Sequence, residues 1–204
     1  MCKRLFPFLA LTLLICIFVY LHNRFFICVV HSNSMEPTLS EHDILVCERV
    51  NSDLSEFSDI NNENGQKQSK LSQNLVKDDL IVFRDVENPE RFLVKRIKKI
   101  MDKGSRIIVD VVGKDSIAEM VVRDGAVILN RNNSIYIDGQ KKNYYELKQN
   151  FFYVQGDNCS SSRDSRTFGW IPEKSLIGIP RCLFFTSGNG NCPQKNNRIC
   201  IRLK

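Results

Sequence analysis

The chain has 204 residues, with 29 basic against 23 acidic side chains for a net charge of +6, and eight cysteines. Such a length buries one ordinary core, and a modest charge spread along the chain rather than massed in one block argues against nucleic acid as a partner. Cys2, Cys16, Cys28, Cys47, Cys159, Cys182, Cys192 and Cys200 make no C-x-x-C pair and have no histidine at ligand spacing, so no metal and no other cofactor is expected.

The first element is the uncharged run Leu5 to Leu21 (LFPFLALTLLICIFVYL), preceded by Lys3 and Arg4. It exceeds the apolar core of a signal peptide and ends in HNRFF without a small-x-small cleavage site, so it reads as an uncleaved single span. Pro7 falls in the first turns, where a helix tolerates it. Lys3 and Arg4 predict that the short N-terminal end stays cytoplasmic and that the rest is translocated. Residues 1–24 are then a cytoplasmic end and membrane anchor, residues 25–204 a β-rich domain, and Phe25 to Val30 an interfacial continuation of the anchor beneath a snorkelling Arg24. The lipid bilayer is the first expected partner.

Beyond the anchor, apolar residues recur in short β-branched runs broken by Gly, Asn and Asp, the pattern of strands. Candidate strands are Ile44 to Cys47, Leu80 to Phe83, Phe92 to Ile97, Arg106 to Val112, Val127 to Leu129, Ser134 to Ile137 and Phe151 to Val154. Asp138-Gly139 after SIYI is a hairpin signal, because both residues tolerate positive φ. Residues 51–76 are rich in Asn, Ser, Gln and charge, and read as a disordered insert loop. If the domain lies in an oxidising compartment, Cys192 and Cys200 are the easiest local pair. The expected fold is mainly β, an antiparallel multi-sheet domain preceded by a single N-terminal transmembrane helix.

Three segments bear chemistry. HSNSMEPTL, from His31 to Leu39, sets two serines just beyond the anchor, and alone it reads as a turn as readily as a nucleophile. His31 and His42 have no aspartate placed with them for a triad. In RFLVKRIKKI, from Arg91 to Ile100, strand alternation puts Leu93, Lys95 and Ile97 on one face and Val94, Arg96 and Lys98 on the other. Lys95 is either a buried amine with a depressed pKa, fit to be a general base, or an edge lysine that snorkels to solvent. GDNCSSSRDSRTFG, from Gly156 to Gly169, has the composition of a loop braced by a local Asp–Arg ion pair.

Together and in this order, HSNSMEPTL, VFRDVENPERFLVKRI and GDNCSSSRDSRTFGWIP resemble the three conserved segments of type I signal peptidases, serine proteases with a Ser/Lys dyad. The resemblance covers most of the chain outside the 51–76 insert and the C-terminal tail. It implies that Ser34 is the nucleophile and Lys95 its general base, that Ser34 N–H and the Ser32 hydroxyl form the oxyanion hole, and that Ser162 orients the lysine. Asp157, Asn158, Asp164 and Arg166 are implied to support the loop. The implied partners are the signal peptides of preproteins, bound as an added strand with small side chains before the cut, and Phe83 with the segment after Ser34 is a candidate pocket lining. The implied location is a bacterial inner (plasma) membrane with the domain on its extracytoplasmic side, or alternatively the mitochondrial inner membrane. A peptidase dedicated to one pilin or conjugation substrate, and a non-catalytic peptide-binding β domain, are the competing readings. Asn33 replaces the glycine common between the two serines, KKIMDKGSRIIVDVVGKDS departs from the family pattern, and Cys159 has no assigned role.

Overall fold

The computed structural model describes residues 5–50, 74–109, 116–131, 134–186 and 201–203. It opens with helix α1 (Leu5–Arg24), which runs directly into β1 (Phe25–Val29) and β2 (Ile44–Arg49). Then come β3 (Leu80–Arg84), β4 (Phe92–Met101) and β5 (Arg106–Ile108). Helix α2 (Ser116–Arg123) precedes four short strands, β6 (Ile128–Arg131), β7 (Ser134–Ile137), β8 (Gln140–Lys141) and β9 (Tyr144–Glu146). The chain continues through β10 (Phe151–Gln155), α3 (Ser165–Phe168), β11 (Ile171–Pro172), β12 (Leu176–Phe185) and β13 (Ile201–Arg202).

One antiparallel sheet, ordered β1-β2-β12-β3-β4-β10-β11 with β13 added to β12, forms the main body. Two small sheets, β5-β9 and β6-β7-β8, form a second lobe. Register shifts in β12 against β2 and β3, and in β10 against β4, insert the bulges that let a sheet curl around its own core. Its two faces pack separate apolar clusters. One holds Ile81, Phe83, Ile97, Phe152 and Ile171, the other Met35, Leu39, Leu45, Cys47 and Val82. A third cluster, with Met120, Val121, Ile137 and Leu147, fills the second lobe beneath α2.

The mainly β, antiparallel expectation holds, and the hairpin at Asp138-Gly139 turns with φ of 50° and 78° to bring Ile137 opposite Gln140. Other readings need correction. Phe25 to Val30 does not continue an interfacial segment: Phe25–Val29 is β1, paired with β2 from Phe25↔Glu48 to Val29↔Ile44, because backbone groups leaving the helix find partners in the sheet. Strand β5 ends at Ile108 rather than Val112, and residues 110–115 lie outside the described set. Strand β12, missed in the sequence, is central. Gly178 and Pro180 disguise it, and the structure places Pro180 beside a register shift, where a proline is admissible in a sheet.

The expected transmembrane segment is helical, with 20 residues in α1. Among the described residues, however, no helix is long and apolar enough to cross a membrane. Its side chains are described from Ala10 onward, and Leu11, Leu14 and Phe18 are each more than half exposed. Arg24 closes the helix on Glu48 at 2.6 Å, and Arg181 of β12 reaches the same carboxylate at 2.7 Å. Most of the 51–76 insert, residues 51–73, and both Cys192 and Cys200 lie outside the described residues, while Leu75 at the insert's end is buried.

Candidate active site

The turn between β1 and β2 is fastened by Met35 and Leu39, both essentially fully buried, and by hydrogen bonds from Glu36 N to Asn33 O and from Leu39 N to Met35 O. These anchors hold Ser34 at 6% exposure at the mouth of the sheet. Across from it, β4 presents Lys95 at 2% exposure on the face it shares with Ile97, opposite Ile81 of β3. Lys95 Nζ donates to Ser34 Oγ at 2.5 Å, a contact between residues 61 positions apart. Burial pulls the Lys95 ammonium down from 10.5 to about 8, against the opposing attraction of Asp164 and Asp157. Ser32, an exposed residue, places its hydroxyl 3.1 Å from that of Ser34.

The loop from Gly156 to Gly169 closes over this pair. Asn158 N donates to Ser34 O at 3.1 Å and Asn158 Nδ2 to Asn33 O at 3.2 Å, while Ser161 Oγ donates to Asn33 Oδ1 at 3.1 Å. Asn33, standing where glycine was the family expectation, thus gains a side-chain bond that glycine lacks. Gly156 permits the approach, since a Cβ there would collide with Ser162 Oγ and the Ser34 carbonyl oxygen.

Two ion pairs brace the loop from within and below. Asp164 caps the short helix α3, accepting from Arg166 N, and binds Arg166 Nε at 2.8 Å and Gly156 N at 3.0 Å. Burial alone would raise the Asp164 carboxyl, but these donors bring it down to about 2. Asp157 is gripped by Arg96 Nε and Nη2 at 2.8 and 2.7 Å and by Thr38 Oγ1 at 2.6 Å. Its carboxyl is likewise pushed up by burial and then held below its usual range by Arg96 and Thr38. Arg163, adjacent to Ser162, crosses to Asp85 with Nη1 at 3.0 Å from Oδ2.

The structure therefore gathers Ser32, Ser34, Lys95, Asp157, Asn158, Ser162, Asp164 and Arg166 in one place. Ser162 Oγ is buried beside Ser34 O yet makes no hydrogen bond, to Lys95 or to any other described group. It adds slightly to the acidity of Asp164 without meeting hydrogen-bond geometry. Phe83, a candidate pocket residue, is instead fully buried against Phe168 in the core, because it points to the packed side of β3. His31 and His42 are exposed, and no described hydrogen bond joins either imidazole to a serine. Cys159 is a free, exposed thiol whose carbonyl accepts from Arg166. Sequence reasoning missed the Arg96–Asp157–Thr38 clamp, although the placement of Arg96 on the face opposite Lys95 was a usable signal. It also missed Asp85–Arg163, for which no local pattern exists.

Similarity to known proteins agrees with this geometry. The chain is 26% identical over 154 residues to the mitochondrial ATP-independent inner membrane protease subunit 1b of Arabidopsis thaliana. The match covers 75% of this chain and 66% of that protein, just under two thirds of its length. A sequence model of the signal peptidase, peptidase S26, family matches residues 1–185. With that match across nearly its whole length, the chain belongs to the signal peptidase, peptidase S26, family.

Proposed function

We propose that this protein is a membrane-anchored serine endopeptidase that cleaves signal peptides from exported preproteins after small residues, with Ser34 as nucleophile and Lys95 as general base. The observation that carries the reading is the 2.5 Å bond from a buried lysine, its pKa lowered to about 8, to a buried serine hydroxyl. A serine hydroxyl is a weak nucleophile at neutral pH, and a lysine can take its proton only when deprotonated. Burial beside aliphatic side chains brings that state within reach near neutral pH without a histidine, and makes it the main form above about pH 8.

In the first half-reaction, Ser34 Oγ attacks the scissile carbonyl carbon while its proton passes to Lys95 Nζ. Ser34 N–H and the Ser32 hydroxyl stabilise the resulting oxyanion, each such donor contributing about 3–4 kcal/mol. The Lys95 ammonium then protonates the departing amine. In the second half-reaction Lys95 deprotonates water, which hydrolyses the acyl-enzyme. Ser162, with its orphaned hydroxyl, serves as the residue that orients the Lys95 amine when substrate is bound. Asp157, Asn158, Asp164 and Arg166 hold the loop over the dyad.

Helix α1 supports the anchor. Its uncharged run, Leu5 to Leu21, reaches the lower end of the roughly 17–25 residues that a bilayer span takes. Its exposed Leu11, Leu14 and Phe18 have no polar face to offer water. Between the two compartments the resemblance admits, the curated relative, an inner membrane protease subunit of mitochondria, favours the mitochondrial inner membrane.

The test is incubation of the full chain in detergent with an exported preprotein, reading the new N-terminus by mass spectrometry. Cleavage after a small residue is expected, and Ser34→Ala abolishes it. Because the neutral amine is the active form, kcat/KM is expected to rise about tenfold per pH unit below pH 8 and to level off above it. Cleavage that persists in Ser34→Ala defeats the reading.

A further inference from the structure

The geometry points to Asp85 and Arg163 as a pair of positioning residues that hold Ser162 against the dyad by tying its loop to the hairpin that carries Lys95. This inference rests on the dyad reading above and adds two residues that it does not use.

Asp85 directly follows β3 and sits in the turn that leads back into β4. Its N–H donates to Arg91 O at 2.8 Å, and Oδ1 accepts from Glu87 N at 3.1 Å, so the carboxylate is built into the turn rather than hung from it. The side chain is wholly buried, at 0% exposure. The charged group that meets it is Arg163, with Nη1 at 3.0 Å, and the same guanidinium pairs with Glu87 and lies over the Phe168 ring. A buried carboxylate that loses its cation costs far more than an exposed pair would contribute, so this contact resists opening in a way that a surface ion pair does not.

The lever runs through one residue of backbone. Ser162 is extended, with φ −120° and ψ 125°, so the side chains of Ser162 and Arg163 project to opposite sides of the loop backbone. Pinning Arg163 to Asp85 on one side therefore turns Ser162 Oγ inward on the other, where it lies buried beside Gly156 and the Ser34 carbonyl. The Asp164–Arg166 pair fixes the following residue but is closed within the loop itself. Asp85–Arg163 joins the backbone next to Ser162 to the β3–β4 hairpin that carries Lys95, beside the Arg96–Asp157 clamp at the start of the loop and the Phe83–Phe168 contact at its end.

Loosening the tether admits water to Lys95. The groups facing that amine are Asp157 and Asp164 from the loop, which hold its proton on, and the aliphatic wall that drives it off. Burial outweighs the carboxylates, so hydration returns Lys95 toward 10.5 and moves the acid limb of the rate profile to higher pH.

The experiment measures kcat, KM and the pH–rate profile of the full chain in detergent micelles for Arg163→Gln, Asp85→Asn, their double variant and Arg163→Lys, with Ser34→Ala and Lys95→Ala alongside. The expected result is a kcat about tenfold lower at pH 7, with KM within about twofold and an acid limb displaced upward by about half to one pH unit. The double variant is no worse than either single one, and Arg163→Lys recovers most of the rate. An unchanged kcat, or a loss with the acid limb in place, overturns the inference, since mere destabilisation lowers the active fraction without moving the limb. Should Asp85→Asn fail to fold, Arg163→Gln probes the same contact from its more exposed side, 37% accessible. Activity surviving in Ser34→Ala or Lys95→Ala defeats the dyad itself, whereas inactive dyad variants beside an unaffected Arg163→Gln defeat only the tether.

Discussion

Burying an ammonium group on a strand face opposite Ile81 costs folding free energy, and the fall of the Lys95 pKa from 10.5 to about 8 corresponds to about 3 kcal/mol. The sign follows from which state holds the proton. Below pH 8 both the folded and unfolded chains carry the charge, and the folded one bears the full desolvation cost. Between pH 8 and 10.5 the folded amine is neutral while the unfolded one is still charged, so stability rises with pH, and above 10.5 the contribution is gone. Lys95→Met is accordingly expected to stabilise the domain by about 2–3 kcal/mol at pH 7 while abolishing cleavage, with the gain shrinking to nothing above pH 10.5. Thermal unfolding at pH 7 and pH 10.5 checks this, and a destabilised variant at pH 7 would show that Lys95 is buried in name only. The period-two pattern of RFLVKRI already separated Lys95 from Arg96, and the structure agrees: Lys95 is buried, whereas Arg96 turns the other way to grip Asp157.

At the scale of elements, β12 decides how the domain is assembled. It pairs with β2 along Gly178 to Phe185 and with β3 at Leu176 and Gly178, joining the half of the sheet that carries Ser34 to the half that carries Lys95. Gly178 sits where the strand passes between these partners, and an added Cβ would meet the Phe26 ring and the Glu48 carbonyl. Gly178→Ala is therefore expected to destabilise the fold by about 1–3 kcal/mol through overpacking, seen as a lower Tm with a proportionate loss of activity. A variant as stable as the parent would mean that β1 and β2 yield without cost. The same glycine and the nearby Pro180 explain why this strand escaped sequence reading, since both are depleted from strand interiors and the tolerance here comes from bulges that only the paired strands reveal. By contrast, β2, β3, β4, β7 and β10 have β-branched runs with clear alternation or apolar continuity, and those were legible.

For the whole molecule, the exposed apolar side chains of α1 are the feature that water alone does not accommodate. Leu14 and Phe18 are 66% and 69% exposed, and the helix feeds straight into the main sheet, braced by Arg24 on Glu48. The full chain is expected to float with liposomes and resist alkaline extraction, and Leu14→Asp with Phe18→Asp to release it to the soluble fraction. Equal solubility of the two forms would remove the anchor from the proposal. The second lobe, with β5 to β9 and α2, keeps its own apolar cluster, and its first strand, β5, lies in the stretch that departed from the family pattern.

Residue types at short spacing determined the apolar run at the N-terminus, the strand faces around Lys95, the Asp138-Gly139 turn and the three segments that resemble a protease family. Those are local properties, readable because alternation and turn chemistry act over a few residues. The tertiary structure alone decided that β1 continues from the helix, that β12 bridges two halves of the sheet, that Phe83 faces the core, and that Arg163 finds Asp85. It also brought Lys95 to 2.5 Å from Ser34 across 61 residues of chain. Such contacts depend on strand order and register, and a shift of one residue would turn Lys95 to the opposite face, so no local pattern could have specified them.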